Sequence, residues 1–254
     1  MNRYFIYLAY NGAPFCGWQS QPNGASVQQS VELALSTILR KPITIVGAGR
    51  TDTGVHAKEM VAHFEVENPL YNFDYLCRKL NRFLPKEISI HRIIPVADGA
   101  HARFHALSRK YQYHLSQEKN PFRYPLHYYY PVKLDFDLMN KACQILFDYN
   151  DFTSFSKLHS DAKTNICHIY EANWKQVDDE WVFTICADRF LRNMVRAIVG
   201  TLIEVGRGKL TLEGFRQIIE AKDRCAAGSS VPGNGLYLIE VTYPEDVFIT
   251  QTEK

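Results

Sequence analysis

The 254-residue sequence lacks the features that mark secreted, membrane and zinc-binding proteins. Its six cysteines lie far apart, with no CxxC pair and no zinc-like spacing, which indicates reduced and mostly buried thiols. It has no low-complexity segment, and its N-terminal apolar run is too short for a signal peptide or a membrane span. That run, MNRYFIYLAYNG, is better explained as a first strand. These absences favour a cytoplasmic protein with no membrane anchor.

A large excess of charge of one sign is also missing. The chain has 29 Lys and Arg residues against 27 Asp and Glu residues, for a formal net charge of +2. An anionic partner must therefore be bound by a local basic patch rather than by the whole surface. With 46% hydrophobic residues, the chain can bury the core of one large domain or of two ordinary ones.

The apolar pattern of the first hundred residues predicts the order βαββαβ, which is typical of a ferredoxin-like fold. Ser26 and Gln29 form a capping box at the start of a helix that ends before Pro42. The predicted strands are 4–10, 43–46, 60–66 and 88–96, and the predicted helices are 26–40 and one that follows residue 72.

The rest of the chain repeats this order without repeating the letters. The predicted strands are 108–116, 166–174, 181–187 and 235–243, and the predicted helices are 137–147, 189–205 and 212–221. We therefore predict an α+β protein of two similar halves, residues 1–105 and residues 106–254.

The string GAGRTDTGVHA, residues 47–57, joins two predicted strands and has Asp52 as its only acid. Asp and Gly often form turns for conformational reasons alone, so a structural turn is one interpretation. An aspartic protease needs a second D-[ST]-G, which the chain lacks, and Arg50 would favour ionising a carboxylate that should share a proton. The string starts like a dinucleotide-binding fingerprint, but Asp52 takes the place of the third glycine and no helix follows.

Two further stretches carry candidate ligand-binding residues. In the strand that begins at residue 108, the two-residue period places Arg109, Tyr111 and Tyr113 on one face, so Tyr111 either faces a ligand or packs in the core. In the helix predicted over 189–205, three arginines recur at i, i+3 and i+7, which forms either a binding stripe or a solvated face. These arginines are Arg189, Arg192 and Arg196.

A histidine pair and a basic run are two further candidate ligand sites. His101 and His105 suggest a metal site, but without a clear third ligand we expect no bound metal. A basic run follows residue 77 and is either a phosphate-binding surface or a solvated helix face. Its members are Arg78, Lys79, Arg82, Lys86 and Arg92.

The motifs taken together resemble the TruA family of tRNA pseudouridine synthases. They are YNGAPFCGWQSQPNGASVQQ, GAGRTDTGVHA, HARFHALSRKYQY, NDFTSF, FLRNMVR and GLYL, in this order, and the resemblance covers nearly the whole chain, from Tyr10 to Tyr243. Thr53 stands where family members have alanine, and Arg192 and Asn193 stand where others have histidines. These departures concern the substrate detail rather than the reaction type.

The resemblance implies a pseudouridine synthase fold, with two ferredoxin-like halves and mainly antiparallel sheets flanking a basic cleft. It also implies isomerisation of uridine to pseudouridine in tRNA, at positions 38, 39 and 40 of the anticodon stem-loop, by a homodimer. No redox change or external group is involved in this reaction, so no cofactor is expected. The competing hypothesis is a non-catalytic RNA-binding module, because ferredoxin-like sheets also serve as RNA platforms.

The resemblance also assigns roles to individual residues. Asp52 is the expected catalytic carboxylate, and Arg196 is its expected cationic partner. Tyr111 is expected to stack on the flipped base, Arg50 to bind backbone phosphate, and Leu236 to form part of an apolar wall.

Overall fold

A computed structural model describes residues 1–22, 24–157 and 163–249 of the chain. They form an α+β structure with mainly antiparallel sheet, which confirms the predicted fold class. Two compact units are present: Met1–Leu107 together with the described residues from Leu238 onward, and Ser108–Tyr237. Over the described ranges, no helix is both long enough and apolar enough to cross a membrane.

The first unit has the predicted order βαββαβ. Its elements are β1 (Asn2–Tyr10), α1 (Val27–Leu39), β2 (Val46–Gly47), β3 (His56–Val66), α2 (Phe73–Phe83) and β4 (Ile88–Pro95). The strand order is β4-β1-β3, with β2 paired to β3, and these pairings are antiparallel. The last strand of the chain lies next to β3, so the C-terminal segment is part of this unit, whereas the sequence-based division at residues 105 and 106 placed it in the second half.

Helix α1 begins as its capping residue predicts. The Ser26 hydroxyl accepts a hydrogen bond from the Gln29 backbone N–H at 3.2 Å. The strand predicted over 43–46 is wrong in extent, because only Val46 and Gly47 are extended strand. Side chains of α1 take the backbone groups that a strand would use: the Ile43 N–H donates to Ser36 Oγ at 2.8 Å, and the Ile45 N–H donates to Glu32 Oε1 at 2.9 Å.

The second unit is built on an antiparallel sheet. The elements are β5 (Ser108–Ser116), β6 (Tyr128–Tyr129), α3 (Phe136–Ile145), β7 (Ile169–Val177), β8 (Glu180–Ala187), α4 (Met194–Gly206) and α5 (Leu212–Ala221), and the last strand of the chain is β9 (Leu236–Thr242). The strand order in this unit is β5-β8-β7, and the two-residue strand β6 pairs with β5 in parallel.

Helix α4 starts five residues later than predicted, which corrects the proposed arginine stripe. Asn193 has a left-handed backbone with φ 67°, a conformation that ends regular helix and that Asn tolerates better than most residues. Arg189 and Arg192 therefore precede the helix, and Arg196 is the one member of the stripe that lies on it.

A buried histidine lies on β3 of the first unit, opposite Val46 of β2. His63, on β3, is 7% exposed, and its Nδ1 accepts a hydrogen bond from the Ala102 backbone N–H at 3.1 Å. Its ring meets the His101 ring edge-on, with centroids 4.5 Å apart. Burial, aided by the nearby charges of His101 and Arg3, lowers the pKa of His63 from 6.5 to about 4.

This shift makes the stability of the first unit depend on pH. Between pH 6.5 and pH 4 the unfolded chain binds a proton at His63 that the folded protein does not bind. We therefore expect the free energy of unfolding to fall as the pH is lowered through this window, and to gain nothing from this residue above it. Urea unfolding at a series of pH values measures the slope.

The variant His63→Asn isolates the contribution of this residue. Asparagine can still accept the Ala102 hydrogen bond but does not titrate, so the slope between pH 6.5 and pH 4 should become shallower. His91→Asn makes the same substitution at an exposed position of β4 and is the matched control for the comparison of slopes. Equal slopes for the wild type and His63→Asn would contradict the assignment.

Candidate active site

Asp52 lies in the loop that joins β2 to β3. Thr51 is buried, Asp52 is half-buried and Thr53 is exposed. The Val55 N–H donates to the Asp52 carbonyl at 3.1 Å, and Gly54 has a left-handed φ of 77°. The loop is therefore a tight turn that holds one acidic side chain at its partly exposed apex.

Two glycines let the segment after β1 pack directly against the backbone of this turn. A Cβ on Gly17 would lie 2.5 Å from the Thr51 carbonyl oxygen, and Gly17 itself has a φ of +89°. A Cβ on Gly12 would lie 2.0 Å from the Val55 carbonyl oxygen. No other residue fits either position without moving the turn.

Hydrogen bonds from residues 10 and 12 hold the chain before and after Asp52. The Tyr10 hydroxyl and Thr51 Oγ1 are 2.9 Å apart and buried. The Gly12 N–H donates to Nδ1 of the buried His56 at 3.0 Å, which places the neutral ring's own proton on Nε2. Asp52 therefore lies in the sequence between two anchored residues, Thr51 and His56.

The first turn of α1 also holds this segment. The Val27 N–H donates to the Gly17 carbonyl at 3.3 Å, and the Gln28 N–H donates to the Trp18 carbonyl at 3.0 Å. The Trp18 N–H in turn donates to the Thr51 carbonyl at 3.2 Å. A chain of backbone hydrogen bonds thus connects the start of the helix to the residue before Asp52.

Arg50 lies on the same loop with its side chain exposed to solvent. It is two residues from Asp52 in sequence, and the buried Thr51 lies between them. An exposed arginine on the same loop as a half-buried carboxylate suits contact with a phosphate group that a ligand brings to the loop.

In the second unit, Tyr111 lies on β5 opposite Ile185 of β8. Its ring is half-buried and meets the Phe190 ring edge-on, with centroids 5.2 Å apart. Tyr113, two residues along the same face, is fully buried instead. Of the two tyrosines on this face, Tyr111 is therefore the one with exposed ring surface.

Arg196 and Tyr113 together hold the segment that leads to Leu236. Arg196 Nε donates to the Val231 carbonyl at 2.7 Å, and the Tyr113 hydroxyl donates to the Pro232 carbonyl at 2.9 Å. Burial raises the pKa of Tyr113, and the Arg196 charge opposes this only in part, so the hydroxyl stays a donor. Arg196 thus contacts the segment that precedes the buried Leu236.

The histidines considered for a metal site have other contacts. Nδ1 of His105 accepts from the His101 N–H at 2.8 Å, and the His101 ring stacks on Phe104 with centroids 4.2 Å apart. In the described part of the chain, no group of three or more His, Cys, Asp or Glu side chains is arranged to hold a metal ion.

The residues that support the site could not be identified from the sequence motifs. Tyr10, Thr51 and His56 have no catalytic pattern of their own, although His56 stands inside the GVHA string. The spacing of the glycines at 12 and 17 gave no signal either, because their partner backbone is about forty residues away in the sequence.

Comparison with known proteins identifies the family. The sequence model of the tRNA pseudouridine synthase family matches residues 6–105 and 142–244. A Parabacteroides distasonis protein named tRNA pseudouridine synthase A is 63% identical over 98% of each chain. Proteins of that name from Bacteroides thetaiotaomicron and Porphyromonas gingivalis are 58% and 56% identical, over 100% and 98% of this chain and 95% and 100% of their own. The chain belongs to the tRNA pseudouridine synthase family, which confirms the resemblance.

The close approach at Gly17 gives a direct test of how the loop is held. Gly17→Ala adds a Cβ against the Thr51 carbonyl in a left-handed backbone, so we expect it to lower the free energy of unfolding by more than about 1 kcal/mol. Gly49→Ala is the matched control on the same loop, because a Cβ there meets nothing within 4 Å. Denaturant unfolding of both variants makes the comparison, and equal stabilities would show that the Gly17 contact is not required.

Proposed function

We propose that the chain converts uridine to pseudouridine in tRNA, with Asp52 as the catalytic group. Family membership supports the reaction, and the observation that carries the residue assignment is the anchored turn that presents Asp52. In this reaction the bond from uracil N1 to C1′ breaks, the base turns over, and C5 joins C1′. The C5 proton is lost and N1 gains a proton, so the atoms balance without an oxidant, a reductant or a group donor.

The reaction needs one ionised carboxylate in a site that closes over a base. As a carboxylate, Asp52 can attack C1′, add to the uracil ring, or remove a ribose proton, and all three routes use the same anchored side chain. Its rigid support suits each route, because a group held at a fixed point is not reorganised during the reaction.

Arg196 is proposed as the cation that keeps this carboxylate ionised. Closing a site over a base desolvates a carboxylate and raises its pKa, which a guanidinium offsets. The bond from Arg196 Nε to the Val231 carbonyl fixes the plane of the guanidinium. This fixed orientation supports the role, since a directed cation loses less freedom when it pairs with an anion.

The remaining site residues are proposed to hold the flipped nucleotide. Tyr111 keeps exposed ring surface and is supported by Phe190, as a stacking platform for a base requires. Leu236, which is buried at the start of β9, is proposed to form part of an apolar wall of the site. Arg50, exposed on the catalytic loop, contacts the backbone phosphate.

The proposal also covers the target uridines, the active form of the protein and its compartment. The family resemblance supports uridines 38, 39 and 40 of the anticodon stem-loop as the targets, a homodimer as the active form, and the cytoplasm as the site of action. The widely spaced cysteines agree with a reducing compartment.

Asp52→Asn tests the central assignment. Asparagine has nearly the same size and tolerates the same turn, but it cannot act as an anionic nucleophile or base. We expect the single-turnover rate of pseudouridine formation to fall by several powers of ten, each worth about 1.4 kcal/mol of barrier, while tRNA binding stays within about tenfold. Tritium release from tRNA labelled at uridine C5 measures the rate.

The control is Asp178→Asn, which makes the same change in an exposed turn with a φ of 53°. It should keep the wild-type rate. If Asp52→Asn retained more than a few per cent of that rate, with its mass verified, Asp52 would be a structural turn residue. If the wild-type protein bound tRNA but released no tritium, the non-catalytic RNA-binding hypothesis would replace this one.

A further inference from the structure

The solvent-facing side of α2 carries three cations and an aromatic ring in one stripe. Tyr75, Arg78, Lys79 and Arg82 stand at positions i, i+3, i+4 and i+7, which places them on one face of the helix. All four are exposed. The opposite face of α2 is buried through Leu76, Cys77 and Leu80. We call the four exposed residues the α2 basic face.

The cations of this face are not neutralised by neighbouring acids. Among the described residues, no carboxylate lies within ion-pairing distance, 4.0 Å, of Arg78, Lys79 or Arg82. Asp74, one turn before Arg78, forms no ion pair with it. On α5, by contrast, Arg216 pairs with Asp148 at 2.7 Å.

The rest of the basic run predicted from the sequence differs from this face. Lys86 Nζ lies 3.9 Å from Glu87, and Arg92 lies 3.8 Å from Glu59 and over the Tyr7 ring. These two side chains have partners in the folded protein. The structure therefore narrows the run to the three cations on α2.

An aromatic ring lies among these cations. Tyr75 is 49% exposed, and Lys79 Nζ lies 4.7 Å from the centre of its ring. Tyr71, just before the helix, is 80% exposed. An exposed tyrosine beside a lysine suits a ligand that has both phosphates and flat bases, because the ring offers a stacking face and the cations offer charge.

A helix-stabilising role explains only one of these residues. Arg82 is in the last turn of α2, where a cation interacts favourably with the helix dipole. Arg78 and Lys79 are in the middle of the helix, where this effect has faded. Unpaired cations gathered on one face also repel each other, so the arrangement has a cost that an anionic ligand would remove.

We propose that the α2 basic face binds the sugar–phosphate backbone of the tRNA substrate and contributes affinity rather than chemistry. Arg78 and Arg82 are one helical turn apart, about 6 Å along the axis, which is comparable to the spacing of neighbouring phosphates on one RNA strand. The inference rests on the proposed function for the identity of the RNA. It adds a binding surface separate from the Asp52 loop, and flipping a nucleotide out of a stem needs such additional contacts.

The test compares two variants of equal charge. Arg78→Gln, Lys79→Gln and Arg82→Gln are combined in one variant, and the exposed lysines Lys141, Lys175 and Lys209 are changed to Gln in the control. Binding of an unmodified tRNA transcript is measured against salt concentration. We expect the α2 variant to bind at least about tenfold more weakly at low salt, with a salt slope lower by about 2, while the control stays within about twofold.

A second variant guards against a loss of folding. Arg78→Gln with Lys79→Gln leaves Arg82 at the helix end, so α2 keeps its favourable terminal charge. It should still reduce both the affinity and the salt slope. Equal losses in the α2 and control variants would show an effect of net charge alone and would overturn the proposal, as would wild-type affinity in either α2 variant.

Two further measurements separate this proposal from its alternatives. Vesicles of phosphatidylserine and phosphatidylcholine test whether the face binds lipid phosphate, and an α2-dependent loss with vesicles but not with tRNA would overturn the RNA assignment. Tritium release by the wild-type protein tests the proposed function independently. If the wild-type protein released no tritium while the α2 variants still bound tRNA more weakly than the wild type, the catalytic proposal would be wrong and the binding surface would remain supported.

Discussion

The close approach of two backbone segments in the first unit is the constraint on which the candidate site depends. Gly12 and Gly17 allow the chain after β1 to pack against the carbonyls of Val55 and Thr51, respectively. A Cβ at Gly12 would lie 2.0 Å from the Val55 carbonyl oxygen, and a Cβ at Gly17 would lie 2.5 Å from that of Thr51. Asp52 stands between those two carbonyls in the sequence. Its position is therefore set by main-chain contact, which is much stiffer than contact through flexible side chains.

That contact follows from the pairing of β1 with β3. The register opposes Tyr10 and Ala57, so the residues after β1 and the residues before β3 leave the sheet side by side. The register between β1 and β3 shifts between Leu8 and Tyr10, immediately before this point. A sheet, a capped helix and a turn thus together hold one carboxylate at a partly exposed position, as the proposed role of Asp52 requires.

The second unit positions its candidate residues by a similar use of backbone carbonyls. Arg196 and Tyr113 donate to the consecutive carbonyls of Val231 and Pro232, so one segment ties a helix to a strand. A guanidinium fixed through Nε keeps a defined plane, and a buried tyrosine hydroxyl with a raised pKa keeps its proton. Both features favour a rigid site over an adaptable one, which agrees with the proposed reaction, because that reaction requires a site that excludes water.

The sequence by itself determined the βαββαβ order, the capped start of α1 and the family, because apolar periodicity, caps and contiguous motifs are local properties. It predicted the bounds of β5 and α5 correctly. It placed the start of α4 too early, at Arg189, because the left-handed backbone at Asn193 leaves no mark in the hydrophobic pattern. It also predicted strand where the segment Ile43–Ile45 is held by side chains of α1. The tertiary structure alone decided the support of Asp52 and the split of the basic run into paired and unpaired cations, because both depend on contacts between residues far apart in the chain.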